Sequence, residues 1–108
     1  MNEYYVYILA CYKNGEFTNF YTGQTNDIDR RESEHIKNVI THNTKKYTGR
    51  FDYVKLLWYG IVKTRSEALE LEQEIKQLSQ DDKEDLVNGD LEIEGLIDAV
   101  SYADKFDD

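Results

Sequence analysis

The chain has 108 residues, 40% of them hydrophobic and 13% aromatic, with a formal charge of −9. These values describe one folded domain with a modest core and exclude wholesale disorder; no apolar run approaches the roughly 18–20 residues of a membrane span. The acidity is uneven, since residues 1–78 carry 11 Lys/Arg against 11 Asp/Glu whereas residues 79–108 carry 2 against 11, so net charge does not bar the first part from binding a nucleic acid.

Met1-Asn2-Glu3 lacks the basic stretch of a signal peptide. The single cysteine, Cys11, has no internal disulfide partner, and no Cys/His spacing suits zinc. A cytoplasmic location is expected.

Tyr4 to Tyr12 is aromatic and β-branched at both alternating sets of positions, the pattern of a central strand. Asn14-Gly15 predicts a tight turn, and Phe20-Tyr21-Thr22 a returning strand that Gly23 ends or bends. With no side chain, Gly23 would also admit a substrate backbone. Asn26 or Asp27 caps a helix to about Asn38, with Ile28, Ile36 and Val39 on its apolar face. Lys45 to Phe51 is a polar, basic loop, and Tyr53 to Val62 a third strand.

Thr64 and Glu67 form a capping box for a second helix whose Ala68, Leu69, Leu71, Ile75 and Leu78 face the core. Ser79 caps a third helix running to about Asn88, and Gly89 stops it. Ile93, Leu96, Ile97, Val100 and Ala103 predict a last amphipathic helix from about Leu91 to Phe106. Residues 1–88 thus form the main domain and residues 89–108 an acidic helical extension.

Three polar residues interrupt these apolar faces. Arg31 is three residues after Ile28, His35 four after Arg31, and Glu72 four after Ala68. A charge on a core-facing position costs several kcal/mol unless it has a partner or a task. Phosphodiester hydrolysis would use all three: a hard carboxylate for Mg2+ or Mn2+ at Glu72, a planar guanidinium for phosphate at Arg31, and a base at His35, Tyr7 or Tyr21. Structural alternatives stand beside this reading. Arg31 and Glu72 could form a salt bridge, His35 could be a core histidine, the tyrosines could be packing residues, and Lys45-Lys46 a solvated loop. Cys11 is most simply a small buried hydrophobe.

Taken in order, these motifs resemble the GIY-YIG nuclease family, most of all its small stand-alone bacterial members of YhbQ-like type. Tyr5-Val6-Tyr7 stands for the first triplet and Tyr21-Thr22-Gly23 for the second. Asn26 to His35 corresponds to the helix with the essential arginine, placing it at Arg31, and Glu67-Ala68-Leu69-Glu70-Leu71-Glu72 to the helix with the metal-binding glutamate at Glu72. Lys46-Tyr47-Thr48 resembles the loop before the third strand. The likeness spans about Tyr4 to Val87.

It implies an α+β fold, a small three-stranded antiparallel sheet flanked by helices, and metal-dependent endonucleolytic cleavage of DNA. Tyr7, Tyr21, Arg31, His35 and Glu72 would be catalytic, Glu72 would bind the metal, and Gly23, Gln24, Lys45 and Lys46 would touch substrate. Gln24 stands where some relatives carry lysine, and Glu32 is placed to compete for Arg31. The alternative is a catalytically weak or inactive nucleic-acid-binding or protein-interaction module on the same fold. Independently of turnover, the acidic helix would pack on its own domain, serve a homodimer or protein partner, or mask the DNA face until a partner displaces it.

Overall fold

The computed structural model describes residues 3–41, 43 and 47–102. Lys45, Lys46, His42, Ala103 and Phe106 lie outside the described residues. Strand β1 (Tyr4–Lys13) turns at Asn14-Gly15 into β2 (Glu16–Thr25). Both turn residues have positive φ, 54° and 78°, as a two-residue hairpin of this twist requires. Gly23 does not end the strand, which runs two residues further.

Helix α1 (Ile28–Ile40) follows, with Asp27 as its cap, and a 3₁₀ turn (Tyr47–Arg50) leads into β3 (Tyr53–Val62). Helix α2 (Arg65–Lys76) begins at Thr64, whose hydroxyl accepts from the Glu67 amide at 3.1 Å and donates to the Glu67 carboxylate at 3.1 Å. Ser79 caps α3 (Gln80–Val87), and β4 (Asp98–Ser101) closes the described chain.

All strand pairs are antiparallel, in the order β2-β1-β3-β4. Strand alternation divides the core into two layers. Val6, Ile8 and Ala10 pack with Ala68, Leu71 and Ile75 of α2 and Leu86 and Val87 of α3. Tyr7, Leu9 and Cys11 pack with Val39 of α1, Phe51 and Val54. The two layers place α1 and α2 on opposite faces of the sheet. A register shift opposite Ile8 and Leu9 inserts an extra residue in β3 and puts the neighbours Leu57 and Trp58 in one layer. Cys11 is fully buried, as expected, and burial pushes its thiol up to about 12.

Two expectations about the end of the chain are corrected. The sheet has four strands, not three, and residues 91–102 form no helix. Gly95 has φ +88°, incompatible with a continuing right-handed helix. Beyond it the exposed edge of β3 recruits the backbone, with Ile97 N–H donating to Ile61 C=O and Tyr102 N–H to Leu57 C=O, each at 2.8 Å. Leu91, Ile93 and Leu96 still bury themselves, against the α2–α3 layer.

Two apolar assignments also move. Ile36 and Leu69 are each 43% exposed. The stripe of α1 that meets the sheet is Ile28, Arg31, His35 and Val39, so Ile36 is rotated about 100° away from it. In α2 the stripe is Ala68, Leu71 and Ile75, with Leu69 beside it.

Candidate active site

The α1 stripe delivers Arg31 and His35, one turn apart, onto Tyr7 at the centre of β1. The Tyr7 side chain is buried and its hydroxyl lies across Gly23, its cross-strand partner. A Cβ on residue 23 would collide with that hydroxyl. The space over Gly23, expected to admit a substrate, holds Tyr7 itself.

Four side chains form one hydrogen-bonded line. Arg31 Nε–H donates to Tyr7 Oη at 3.2 Å, Tyr7 Oη meets His35 Nε2 at 2.8 Å, and His35 Nδ1 meets Thr48 Oγ1 at 2.9 Å. Two proton arrangements satisfy this line: the phenol donates to Nε2 while Nδ1–H donates to Thr48, or Nε2–H donates to the phenol oxygen while Thr48 donates to Nδ1. Tyr21 adds a ring whose centroid is 5.3 Å from that of His35 and 6.3 Å from that of Tyr7.

The surroundings set the charge states. Burial, only partly opposed by the Arg31 guanidinium, pushes the Tyr7 phenol up to about 12. Burial and the positive charge of Arg31 lower His35 to about 4. At neutral pH the centre therefore holds a neutral phenol and a neutral imidazole beside one cation.

Glu72 approaches from α2, and its side chain is 14% exposed. Its negative charge bears on the Tyr7 phenol, but its ion-pair partner is Lys76, at 3.4 Å. The alternative of an Arg31–Glu72 bridge is not realised; Arg31 Nη1 pairs with Glu34 at 3.4 Å. Glu34, not Glu32, is the carboxylate that competes for the guanidinium. Glu32 lines a separate groove with Ile36 and Tyr53.

Among the described residues no group of three or more His, Cys, Asp or Glu could enclose a metal ion. A cation at Glu72 would have one hard carboxylate and otherwise water, a donor set suited to Mg2+ or Mn2+ and unsuited to structural zinc.

Gln24 lies at the side of a cavity of about 450 Å³, together with Asn26, Arg30, Arg31, Glu34 and Arg65. Sequence reasoning missed Thr48, Glu34, Arg30 and Arg65. The spacing of Arg31 and Glu34 as i, i+3 was a signal for their pairing, and Thr48 closes the Lys46-Tyr47-Thr48 segment already noted for its likeness. Nothing in the local sequence brings Arg65, in another helix, to Arg30.

Tyr5-Val6-Tyr7 and Tyr21-Thr22-Gly23 thus lie on paired strands, with Arg31 on α1 and Glu72 on α2, the order of elements that the GIY-YIG resemblance implies. The family model described as the GIY-YIG catalytic domain matches residues 3–85, and the chain belongs to that family. Its relatives include a UPF0213 protein of Cronobacter sakazakii, 34% identical over 89% of this chain and 93% of the relative. The UPF0213 protein lwe0147 of Listeria welshimeri is 36% identical over 77% of this chain and 83% of its own. The solution NMR structure of the UPF0213 protein BH0048 from Bacillus halodurans is 36% identical, covers 86% of each chain and superposes with a TM-score of 0.46.

Proposed function

We propose that this protein is a metal-dependent endonuclease that hydrolyses DNA phosphodiester bonds at one site centred on Tyr7. The observation that carries the reading is the Tyr7 hydroxyl held between Arg31 Nε and His35 Nε2, at 3.2 and 2.8 Å, in a buried centre. Family membership supports a nuclease class for the domain. The nuclease domain is taken to span residues 1–88 and residues 89–108 to be an acidic extension whose described part packs into the same sheet and core, and the setting is cytoplasmic.

In this mechanism Arg31 holds the scissile phosphate and neutralises charge on the developing phosphorane. Tyr7 takes a proton from the attacking water while passing its own to His35 Nε2. The neutral imidazole has a free lone pair for this in the arrangement where Nδ1–H donates to Thr48. The product is an imidazolium, disfavoured beside Arg31, so the phosphate must offset the guanidinium charge as the proton moves. Glu72 is the residue that would hold Mg2+ or Mn2+, and a bound cation supplies Lewis acidity at the leaving oxygen. Tyr21 packs against Tyr7 and His35 and limits their rotation. Gln24 contacts the strand, and Lys45 and Lys46 complete the substrate contacts.

The test is cleavage of labelled linear, nicked, flap and branched DNA in Mn2+, by wild type and by Glu72→Gln and Tyr7→Phe. Loss of activity of at least about 100-fold in both variants, with unchanged thermal unfolding, is expected. A second reading, a binding module without turnover, is favoured by one observation. Both charged groups of the site are already paired within the chain, Arg31 with Glu34 and Glu72 with Lys76. Salt-sensitive DNA binding by wild type without cleavage in either metal would select it.

A further inference from the structure

The cavity beside Arg31 is unlike the rest of the molecule in charge. Arg30, Arg31 and Arg65 line it with one carboxylate, Glu34, a local balance of three positive against one negative in a chain of net −9. Among the described residues neither Arg30 nor Arg65 forms an ion pair, although 22 Asp and Glu residues compete for cations. Arg30 is instead oriented by Asn26, whose Oδ1 accepts from its Nη2 at 3.3 Å. Arg65 opens α2, and Arg30 lies in the first turn of α1, so two helices from opposite faces of the sheet supply guanidiniums to one opening. Gln24 and Asn26 add uncharged polar groups. Its volume of about 450 Å³ falls in the range of a ligand-sized cleft and admits more than one phosphate.

We propose that this cavity is a second phosphate subsite, in which Arg30 and Arg65 grip the backbone phosphate next to the one held by Arg31, on the same nucleic-acid strand. The proposal rests on the nuclease reading and adds the part of the strand that the site engages beyond the scissile bond. Arg31 belongs to both places: its Nε faces Tyr7 while its side chain lines the cavity, so a strand entering past Arg30 and Arg65 arrives at the reacting phosphate. Glu34 is the opposing element, drawing on Arg31 until a phosphate displaces it.

The test is anisotropy of a fluorescein-labelled single-stranded 12-mer in EDTA, titrated with protein at several salt concentrations. It is followed by cleavage of the preferred substrate in Mn2+. Arg30→Gln/Arg65→Gln should weaken binding about 10-fold at low salt and reduce the slope of log K against log[salt] by about 1.4, two contacts at about 0.7 each. Lys13→Gln/Lys55→Gln removes the same charge toward the other end of the strands and should leave that slope unchanged. Glu34→Gln should tighten binding, an opposite sign that damage to the fold would not produce.

An arginine double variant that behaves like the lysine pair overturns the proposal. So does saturable binding of inorganic phosphate lost in that variant while oligonucleotide affinity is kept, since the cavity would then serve a free anion. A wild type that cleaves DNA while the double variant is unaffected overturns the subsite alone. A wild type that neither binds nor cleaves overturns both readings.

Discussion

His35 is the residue whose chemistry depends most on where the fold places it. An exposed imidazole titrates near 6.5, but in this protein burial and Arg31 lower it to about 4. Between those two values the unfolded chain binds a proton that the folded chain refuses, so stability falls as pH drops from about 6.5 to about 4 and is fully present above that window. The contribution is at most about 3 kcal/mol. Urea unfolding at pH 7 and pH 4.5 should show a smaller loss on acidification in His35→Gln than in wild type; equal losses would contradict the assignment.

Gly23 gives a steric prediction at the same scale. A methyl group there meets the Tyr7 hydroxyl, so Gly23→Ala should destabilise by about 1–3 kcal/mol and depress cleavage by pushing the phenol off Arg31 and His35. Thermal unfolding beside a cleavage assay checks both effects. Thr48→Val is the gentler probe, nearly isosteric and deleting only the partner of His35 Nδ1. It should lower kcat about 10-fold and shift its pH profile with little change in KM, because Thr48 positions a proton without touching substrate.

At the scale of elements, the C-terminal strand is where pattern and fold part company. Leu91, Ile93, Leu96, Ile97 and Val100 satisfy a helical period, yet Gly95 at φ +88° interrupts it and β3 offers unpaired backbone groups that an added strand satisfies. Strand β4 joins the sheet at the edge opposite β2, away from the strand that carries Tyr21 and Gly23. The described part of the acidic extension, up to residue 102, is thus built into the sheet and core. Deletion of residues 90–108 should cost about 3–4 kcal/mol, from loss of Leu91, Ile93 and Leu96 over Trp58 and the α3 contacts. Denaturant unfolding checks this, and a truncated chain of unchanged stability with raised cleavage would restore the masking idea. Elsewhere the elements are legible from local chemistry: the Asn14-Gly15 turn, the Thr64 and Ser79 caps and strands β1 and β3, whereas β2 extends well beyond the expected Phe20-Tyr21-Thr22, to Glu16–Thr25.

At the scale of the molecule, charge separates by place. Residues 1–78 are neutral overall and contribute Arg30, Arg31 and Arg65 to one opening, whereas residues 79–108 carry the whole net charge of −9. Steering of a polyanion to such a site falls steeply with ionic strength. A metal held by one carboxylate has no part in the core, so EDTA should abolish cleavage while shifting Tm by less than about 1 °C. A larger shift, followed by circular dichroism, would point to a structural ion.

The sequence by itself determined the helix caps, the hairpin and the positions of Tyr7, Arg31, His35 and Glu72 in their elements, because each depends on contacts within a few residues or on a period. Tertiary structure decided the pairings. Arg31 meets Glu34 and Tyr7 instead of Glu72, and Thr48 completes the line through His35. Gly23 makes room for a phenol, Arg65 comes to Arg30, and an amphipathic segment becomes a strand. Each of these depends on which surfaces approach across the sheet, a property of three-dimensional distance that one-dimensional spacing does not contain.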